Sequence, residues 1–210
     1  MSDNNTTHRQ VYQREELHKK LWEMANSLRN NMEGSEFKNY VLGLLFYRFL
    51  SEHEELQIAS LLKDDKITFE EAFKDDNYVQ PITDWMIEAN GYFIEPKYLF
   101  TSCINLIEQE KFDVDYLNKA INSITASTLG KKSEKLFENL FDDMDLTSSK
   151  LGRDVKSRSI LIAKVMKSID TIDFELENTE IDVLGDAYEY LIGMYAATAG
   201  KKAGEFYTPQ

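Results

Sequence analysis

Apolar residues recur at helical spacing along most of the chain. From residue 15 they follow one another at steps of four and three, which places one set on a single face of an α-helix: Leu17, Leu21, Met24, Leu28 and Met32. Gly34 is expected to end this helix and Ser35 to cap the next one. That second helix is predicted from Glu36 to about Leu62. Its middle, YVLGLLFYRFL, is apolar nearly all round, which is typical of a helix buried in a bundle.

The same pattern predicts further helices towards the C-terminus. Thr68 followed by Glu71 matches a capping box and begins a short helix through Ala72 and Phe73. A segment that opens at Pro81 is expected to close at Gly91. More helices are predicted over 98–110, 114–128, 133–141, 154–169 and 180–199.

Extended structure is predicted at one place only. Pro96 biases Glu95 away from helical angles, so residues 92–94 are expected to form a short extended piece. No run of alternating β-branched residues is long enough for a sheet core. The expected fold class is therefore mostly α: a multi-helix bundle with at most a short β-hairpin.

Composition narrows the classes of protein. The 210 residues are 42% hydrophobic and include only 9 Gly and 3 Pro, which excludes collagen-like, Pro-rich and mostly disordered chains. One cysteine excludes a disulfide framework. No apolar run is long enough to span a bilayer, and residues 1–10 show no secretory signal. We therefore expect a cytoplasmic protein without a membrane partner.

The net charge of −13 limits how the chain can meet nucleic acid. Binding to phosphate requires Lys and Arg, so a chain this acidic does not bind DNA over its whole surface. Residues 150–167 are the exception, with six basic residues against one acidic residue. At about 100° per residue, four of the basic residues fall within an arc of roughly 80°, opposite an apolar stripe. They are Arg153, Lys156, Lys164 and Lys167.

Two interpretations of this basic stripe remain open. It is either the solvated face of an ordinary amphipathic helix, or a face that contacts DNA phosphates and positions a duplex without reading bases. Three lysines are candidates to extend it: Lys131, Lys132 and Lys135. No helix-turn-helix signature accompanies the stripe.

Other candidate sites are excluded one by one. The three histidines, His8, His18 and His53, lack metal-ligand spacing, so no metal site is expected. Cys103 follows a helical apolar pattern that predicts a core thiol and not a nucleophile. The run DDMDLTSSK lacks the glycine and glutamate of an EF-hand and is expected to be a turn. No phosphate-binding glycine loop and no Ser/His/Asp arrangement is found, so no catalytic residue is assigned within these residues.

The last six residues have a distinctive composition. After the polar link 201–204 the chain reads Glu205, Phe206, Tyr207, Thr208, Pro209 and Gln210. Two aromatic rings, a hydroxyl and a proline suit packing against a planar ligand, with Pro209 placed to begin a helix. Because a natural terminus rarely falls where a helix is beginning, we expect the natural chain to continue.

This segment strongly resembles the modification (methyltransferase) subunit of type I restriction-modification systems. Other stretches of the chain also match that family: LWEMA at 21–25, EFKNYVLGLLFYRFL at 36–50, GYFIEP at 91–96 and LGDAYEYLI at 184–192. The resemblance covers nearly all of the chain from about residue 15. Together these motifs are specific, although none of them is specific alone.

The resemblance implies a domain organisation and an activity. It implies a flexible lead-in at 1–14, a helical N-terminal domain at 15–200, and at 201–210 a linker and the start of an S-adenosylmethionine-dependent methyltransferase domain. The intact subunit is expected to transfer a methyl group from S-adenosylmethionine to the exocyclic amine of adenine in DNA. Its expected partners are a specificity subunit that reads the sequence, a restriction subunit that cleaves, and double-stranded DNA whose target base is flipped out. This domain is expected to dock on the specificity subunit and to help enclose the DNA.

Residue roles follow from the same resemblance, and two family elements are absent. The family's Glu-Phe-Tyr-Thr-Pro stretch borders the cofactor, so residues 205–210, named above, are carried over as cofactor-contacting. The Gly-rich cofactor loop and the Asn/Asp-Pro-Pro-aromatic motif do not occur in these 210 residues. The chain alone is therefore expected to be inactive, with weak or no cofactor binding.

Two other functions remain as alternatives. The chain could be a non-catalytic helical protein-interaction module without direct DNA contact. An unrelated helical enzyme fragment is the weaker alternative, because no paired acid–base constellation is present.

Overall fold

The computed structural model describes residues 15–24 and 34–174. The described chain contains residues 15–24 as helix α1, followed by α2 (Gly34–Leu61), α3 (Phe69–Ala72), α4 (Asp76–Asn90), a 3-10 turn (Pro96–Tyr98), α5 (Phe100–Glu108), α6 (Val114–Ser127), α7 (Glu134–Phe137) and α8 (Val155–Asp170). No strand occurs in this part of the chain. The predicted mostly α fold is confirmed.

The chain divides into two compact units, Met1–Leu45 with Lys164–Gln210, and Phe46–Ala163. In the first unit, buried apolar side chains come from α1, from the start of α2 and from the end of α8: Leu21, Met24, Phe37, Val41, Leu44, Val165, Met166 and Ile169. A hydrogen bond from Lys20 Nζ to the carbonyl of Thr171 ties α1 to the residues that follow α8.

The second unit is organised around residues 47–54 of helix α2. Four residues on this helix hold the segment 92–100 by hydrogen bonds. Tyr47 Oη donates to Tyr98 O (2.5 Å), Tyr92 Oη donates to Leu50 O (2.8 Å), and Ser51 Oγ accepts from Phe100 N (2.6 Å). The fourth, Glu54, accepts from Ile94 N with each carboxylate oxygen at 3.0 Å.

These bonds give acceptors to backbone donors of residues 92–94, which belong to no helix or strand. Buried backbone N–H groups need an acceptor, which a sheet normally supplies. Here Phe93 N donates to Ser127 Oγ at 3.0 Å, and Ile94 N donates to Glu54. Glu95 has φ −63° and ψ 145°, as expected of a residue before proline. Residues 92–95 belong to no helix or strand, so the extended piece at 92–94 stays a prediction, and the hairpin that the sequence allowed is not present among the described residues.

Most of the local predictions are confirmed. Thr68 and Glu71 form the predicted capping box, with Thr68 N donating to Glu71 Oε2 at 2.8 Å and Glu71 N to Thr68 Oγ1 at 3.2 Å. Gly91 ends α4 in the left-handed conformation, with φ 83°. Cys103 is a fully buried core thiol, and burial raises its pKa to about 11.

Three predicted boundaries are wrong. Helix α4 begins at Asp76, so Pro81 lies inside it and does not open it. The helix is capped by Asp75, whose Oδ1 accepts from Asn77 N at 2.9 Å. Pro81 lacks a backbone N–H, so it removes one hydrogen-bond donor from the helix. Gly34 and Ser35 both lie within helix α2, so Ser35 is not the cap that precedes it. The helix predicted over 133–141 is a single turn, Glu134–Phe137. After it the chain continues in turns through residue 143.

Other predictions lie outside the described residues. These are the helix over 180–199, the second half of the first predicted helix, and the lead-in at 1–14. Among the described residues, no helix has the length and apolar character needed to cross a membrane.

Candidate nucleic-acid interface

Helix α8 carries the predicted basic stripe, and its start is fixed locally. Asp154 lies just before the helix, and its Oδ1 accepts from Ser157 N at 2.7 Å. This hydrogen bond lowers the pKa of Asp154. Ser159 Oγ accepts from Val114 N at 3.0 Å and donates to Val155 O at 2.8 Å. The first turns of α8 are thereby anchored to the start of α6.

The two faces of α8 are divided as the sequence predicts. The apolar stripe is buried, and it consists of Leu161, Ile162, Val165, Met166 and Ile169. The four basic residues are all exposed: Arg153, Lys156, Lys164 and Lys167. Within the described chain, no ion pair or side-chain hydrogen bond holds any of these four groups. Their charges are therefore available to a partner. We call these four residues the basic face.

The helical arrangement brings three of these residues together. Lys156, Lys164 and Lys167 lie within roughly 80° of one another around the axis of α8. Arg153 precedes the helix, so its direction is not set by the helical repeat. Lys131, Lys132 and Lys135, the predicted extension, are exposed in and around the start of α7. Their joining the basic face stays a prediction.

Arg158 has a different role from its basic neighbours. Its Nε is buried without a hydrogen-bond partner in the described structure, and its side chain is only partly exposed. Its positive charge helps to lower the pKa of Asp145 and Asp154, in both cases after the hydrogen bonds that these carboxylates accept. Arg158 therefore belongs to the local packing around the start of α8 and not to the basic face.

An apolar residue interrupts the basic face, and the sequence interpretation did not include it. Ile160 is 64% exposed. At about 100° per residue it lies between Lys156 and Lys164, about 40° from each. The signal was present in the sequence, because Ile160 stands at the i, i+4 spacing to both lysines. A single exposed isoleucine is ordinary on a protein surface, so by itself it indicates no partner.

The remaining predicted site residues are not placed. Residues 205–210, carried over as cofactor-contacting, lie outside the described residues. The described residues contain no group of three or more His, Cys, Asp or Glu side chains able to hold a metal ion. His53 instead makes a 3.1 Å hydrogen bond with Gln57 and stacks on Phe49.

A cleft in the second unit, Phe46–Ala163, could not be seen from the sequence. A cleft of about 320 Å³ lies between α6 and the segment 138–146. Its floor is apolar, and its walls carry amide, hydroxyl and carboxylate side chains. Sequence periodicity marks the inner residues only as core positions, because it does not show where the two segments leave a gap.

Comparison with known proteins gives the family. The family model described as the HsdM N-terminal domain matches residues 17–169, and the model described as N-6 DNA Methylase matches residues 179–210.

Curated relatives and a solved structure agree with these matches. The chain is 38% identical over 206 residues to the type I restriction enzyme MpnII methylase subunit of Mycoplasma pneumoniae, covering 94% of this chain and 38% of that protein. It is 25% identical over 198 residues to the MjaIX methylase subunit of Methanocaldococcus jannaschii, covering 93% of this chain and 33% of that protein.

The similar structure is the crystal structure of the type I restriction-modification system methyltransferase subunit from Streptococcus thermophilus. The TM-score is 0.76 at 29% identity, covering 94% of this chain and 41% of that one. The chain thus spans well under half the length of these relatives. The family match covers most of the described helices, and the chain belongs to the HsdM N-terminal domain family, as the N-terminal domain of a type I restriction-modification methylase subunit.

Proposed function

We propose that the intact subunit transfers a methyl group from S-adenosylmethionine to the exocyclic amine of adenine in DNA. The match of residues 179–210 to the N-6 DNA Methylase model supports this activity, as do the names of the relatives. In this proposal residues 15–200 form the helical N-terminal domain, residues 201–210 lead into the methyltransferase domain, and residues 205–210 border the cofactor. The specificity and restriction subunits complete the complex.

These 210 residues are proposed to support the reaction without performing it. The three prolines are Pro81, Pro96 and Pro209, so no Asn/Asp-Pro-Pro-aromatic motif occurs to accept the target amine. We expect the 210-residue chain to leave DNA unmethylated when it is incubated with labelled S-adenosylmethionine, and the complex containing the intact subunit to label adenine. Label in cytosine, or no label from the complex, would contradict the proposed reaction.

The role of this domain is proposed to be contact with the DNA backbone. The observation that carries it is the basic face: four exposed basic side chains without protein partners in the described structure, on a chain of net charge −13. Positive charge concentrated on one face of an acidic protein is suited to phosphate contacts. Such contacts fix the position of a duplex and leave sequence reading to the specificity subunit.

The test changes all four residues of the basic face in one variant. Arg153, Lys156, Lys164 and Lys167 are changed together to Ala in the complex assembled with the specificity subunit. A control with the same change in charge replaces four exposed lysines elsewhere: Lys63, Lys74, Lys111 and Lys119. We expect the first variant to weaken binding of specific and unrelated duplexes alike, and the control to bind DNA as the unchanged complex does. Equal binding by both variants would contradict the role.

The alternative is a protein-interaction module that does not touch DNA. The observation that favours it is the combination of the basic face with Ile160, which is 64% exposed. Ile160 alone indicates no partner, but an apolar side chain flanked by Lys156 and Lys164 also suits an acidic protein surface. Assembly separates the two functions. If the basic-face variant keeps its helical circular dichroism but no longer joins the specificity subunit, the face belongs to a protein interface.

A further inference from the structure

The end of helix α4 carries an Asn–Gly pair, Asn90 followed by Gly91, and no other such pair occurs in the 210 residues. In such a pair the backbone nitrogen of the glycine can attack the side-chain carbonyl carbon of the asparagine, because glycine has no Cβ to hinder the approach. A bond forms between that nitrogen and Cγ, and the side-chain nitrogen leaves as ammonia with the proton of the glycine N–H. Water then opens the resulting succinimide ring to aspartate or isoaspartate.

The fold requires the glycine of this pair. Gly91 has φ 83°, a conformation that residues with a Cβ rarely adopt, and it ends α4 as a left-handed cap. A Cβ at this position would also lie 2.6 Å from the Cβ of Ser133. The chain therefore cannot remove the reactive pair by replacing Gly91 without losing stability.

The attacking nitrogen is held in the folded chain. Gly91 N donates to Ile87 O at 3.0 Å, so the proton that must leave during the attack is engaged in the last hydrogen bond of α4. The carbonyl of Gly91 accepts from the hydroxyl of Ser133. Both peptide groups of Gly91 are thus fixed away from the reaction.

The side chain under attack is held as well. Asn90 Nδ2 donates to Gln57 Oε1 at 2.7 Å and lies 3.8 Å from the sulfur of Met86, which is fully buried. Gln57 is itself oriented, because its Nε2 shares a 3.1 Å hydrogen bond with His53 Nε2. The amide of Asn90 is therefore fastened to helix α2.

We propose that Asn90 is a deamidation site gated by the end of α4. The reaction proceeds only when the turn at Gly91 opens locally, and the hydrogen bonds of Gln57 and Ser133 to this turn set how often it opens. Aspartate at position 90 has no N–H to donate to Gln57. Isoaspartate adds a methylene carbon to the backbone where α4 leads into the segment held by Glu54. Either product weakens the end of α4.

The experiment follows the peptide that contains Asn90 by mass spectrometry while the complete methylase subunit is incubated at mildly alkaline pH, folded or in denaturant. Gln57→Ala and Ser133→Ala each remove one hydrogen bond that holds the turn. The matched control is Gln80→Ala, which removes the exposed hydrogen bond from Gln80 to Asp84 on the same helix.

A second asparagine in the same molecule reports general unfolding. Asn122 precedes Ser123 in the middle of α6, away from the turn at Gly91 in the sequence. Its deamidation should therefore accelerate only if a variant unfolds as a whole.

We expect Asn90 to deamidate about tenfold faster or more in denaturant than in the folded subunit. In the folded subunit, Gln57→Ala and Ser133→Ala should each speed the reaction at Asn90 by about fivefold, since one hydrogen bond contributes about 1 kcal/mol. The rate at Asn122 and the Gln80→Ala control should not change.

Three results would overturn the proposal. Equal rates at Asn90 in the folded and the denatured subunit would show that the fold does not gate the reaction, and no deamidation in denaturant would show that Asn90 is not a site. Unchanged rates in both turn variants, or an increase shared with Asn122 or with the control, would show that these two hydrogen bonds do not control the opening.

Discussion

At the scale of single residues, the buried carboxyl of Glu54 has the most testable consequence. Glu52, Glu54 and Glu55 lie close together in the sequence within α2, where three carboxyl groups are ordinarily exposed. Glu54 is instead fully buried. Burial raises its pKa to about 9, the Ile94 N–H opposes that rise, and the nearby charge of Glu55 adds to it. Near neutral pH this carboxyl is therefore protonated in the folded state.

The free energy of unfolding should consequently depend on pH through Glu54. Between the ordinary pKa of 4.5 and the folded value of about 9, the folded chain binds a proton that the unfolded chain has lost. Stability conferred by this group is thus complete below pH 4.5 and falls as pH rises towards 9.

Glu54→Gln should remove this part of the pH dependence. Denaturant titrations at several values of pH between 5 and 9 should show a flatter profile for this variant than for the unchanged chain, since the effects of other titrating groups cancel in the comparison. Glu88→Gln, an exposed change of the same kind, serves as the control and should keep the original slope. Parallel profiles for all three proteins would show that Glu54 does not titrate as its burial implies.

At the scale of elements, the end of helix α4 depends on a glycine for two separate reasons. Gly91 has φ 83°, a conformation that is unfavourable for residues with a Cβ. A Cβ there would also lie 2.6 Å from the Cβ of Ser133, whose hydroxyl donates to the Gly91 carbonyl. Gly130 has a similar φ of 71°, but nothing lies within 4 Å of a Cβ added to it. The two glycines therefore separate backbone strain from steric overlap.

Replacing each glycine by Ala should measure the two effects. Gly130→Ala should lower the free energy of unfolding by about 1 kcal/mol, from the backbone conformation alone. Gly91→Ala should lower it by more than about 2 kcal/mol, because the close approach of Ser133 adds to the same strain. Thermal and denaturant unfolding of the two variants side by side gives the comparison. Equal losses of unfolding free energy in the two variants would mean that Ser133 moves away from the added Cβ without cost.

Elements whose signals are local could be predicted from the sequence. The capping box at Thr68, the glycine end at Gly91 and the two faces of α8 each depend on neighbours a few residues apart. The start of α4 was misplaced because Pro81 is a strong local signal, which the cap at Asp75 overrides. The burial of Glu54 and the cleft beside α6 could not be predicted, since both depend on contacts between segments distant in the sequence.

At the scale of the whole molecule, the distribution of charge supports the proposed contact of this domain with DNA. The chain has a net charge of −13, so neither its composition nor its average surface favours DNA. The basic face places three exposed lysines on α8 and Arg153 just before it. In this account the basic face contacts DNA phosphates, and the specificity subunit reads the sequence.

The salt dependence of DNA binding shows whether the basic face contacts phosphates. Affinity of the assembled complex for a duplex is measured between low and physiological salt, for the unchanged complex, the basic-face variant and the lysine control. Each lost phosphate contact lowers the steepness of log affinity against log salt by about 0.9. We predict a decrease of about 2 to 4 for the basic-face variant and none for the control. An unchanged slope in a variant that still assembles would contradict the assignment of the basic face to DNA.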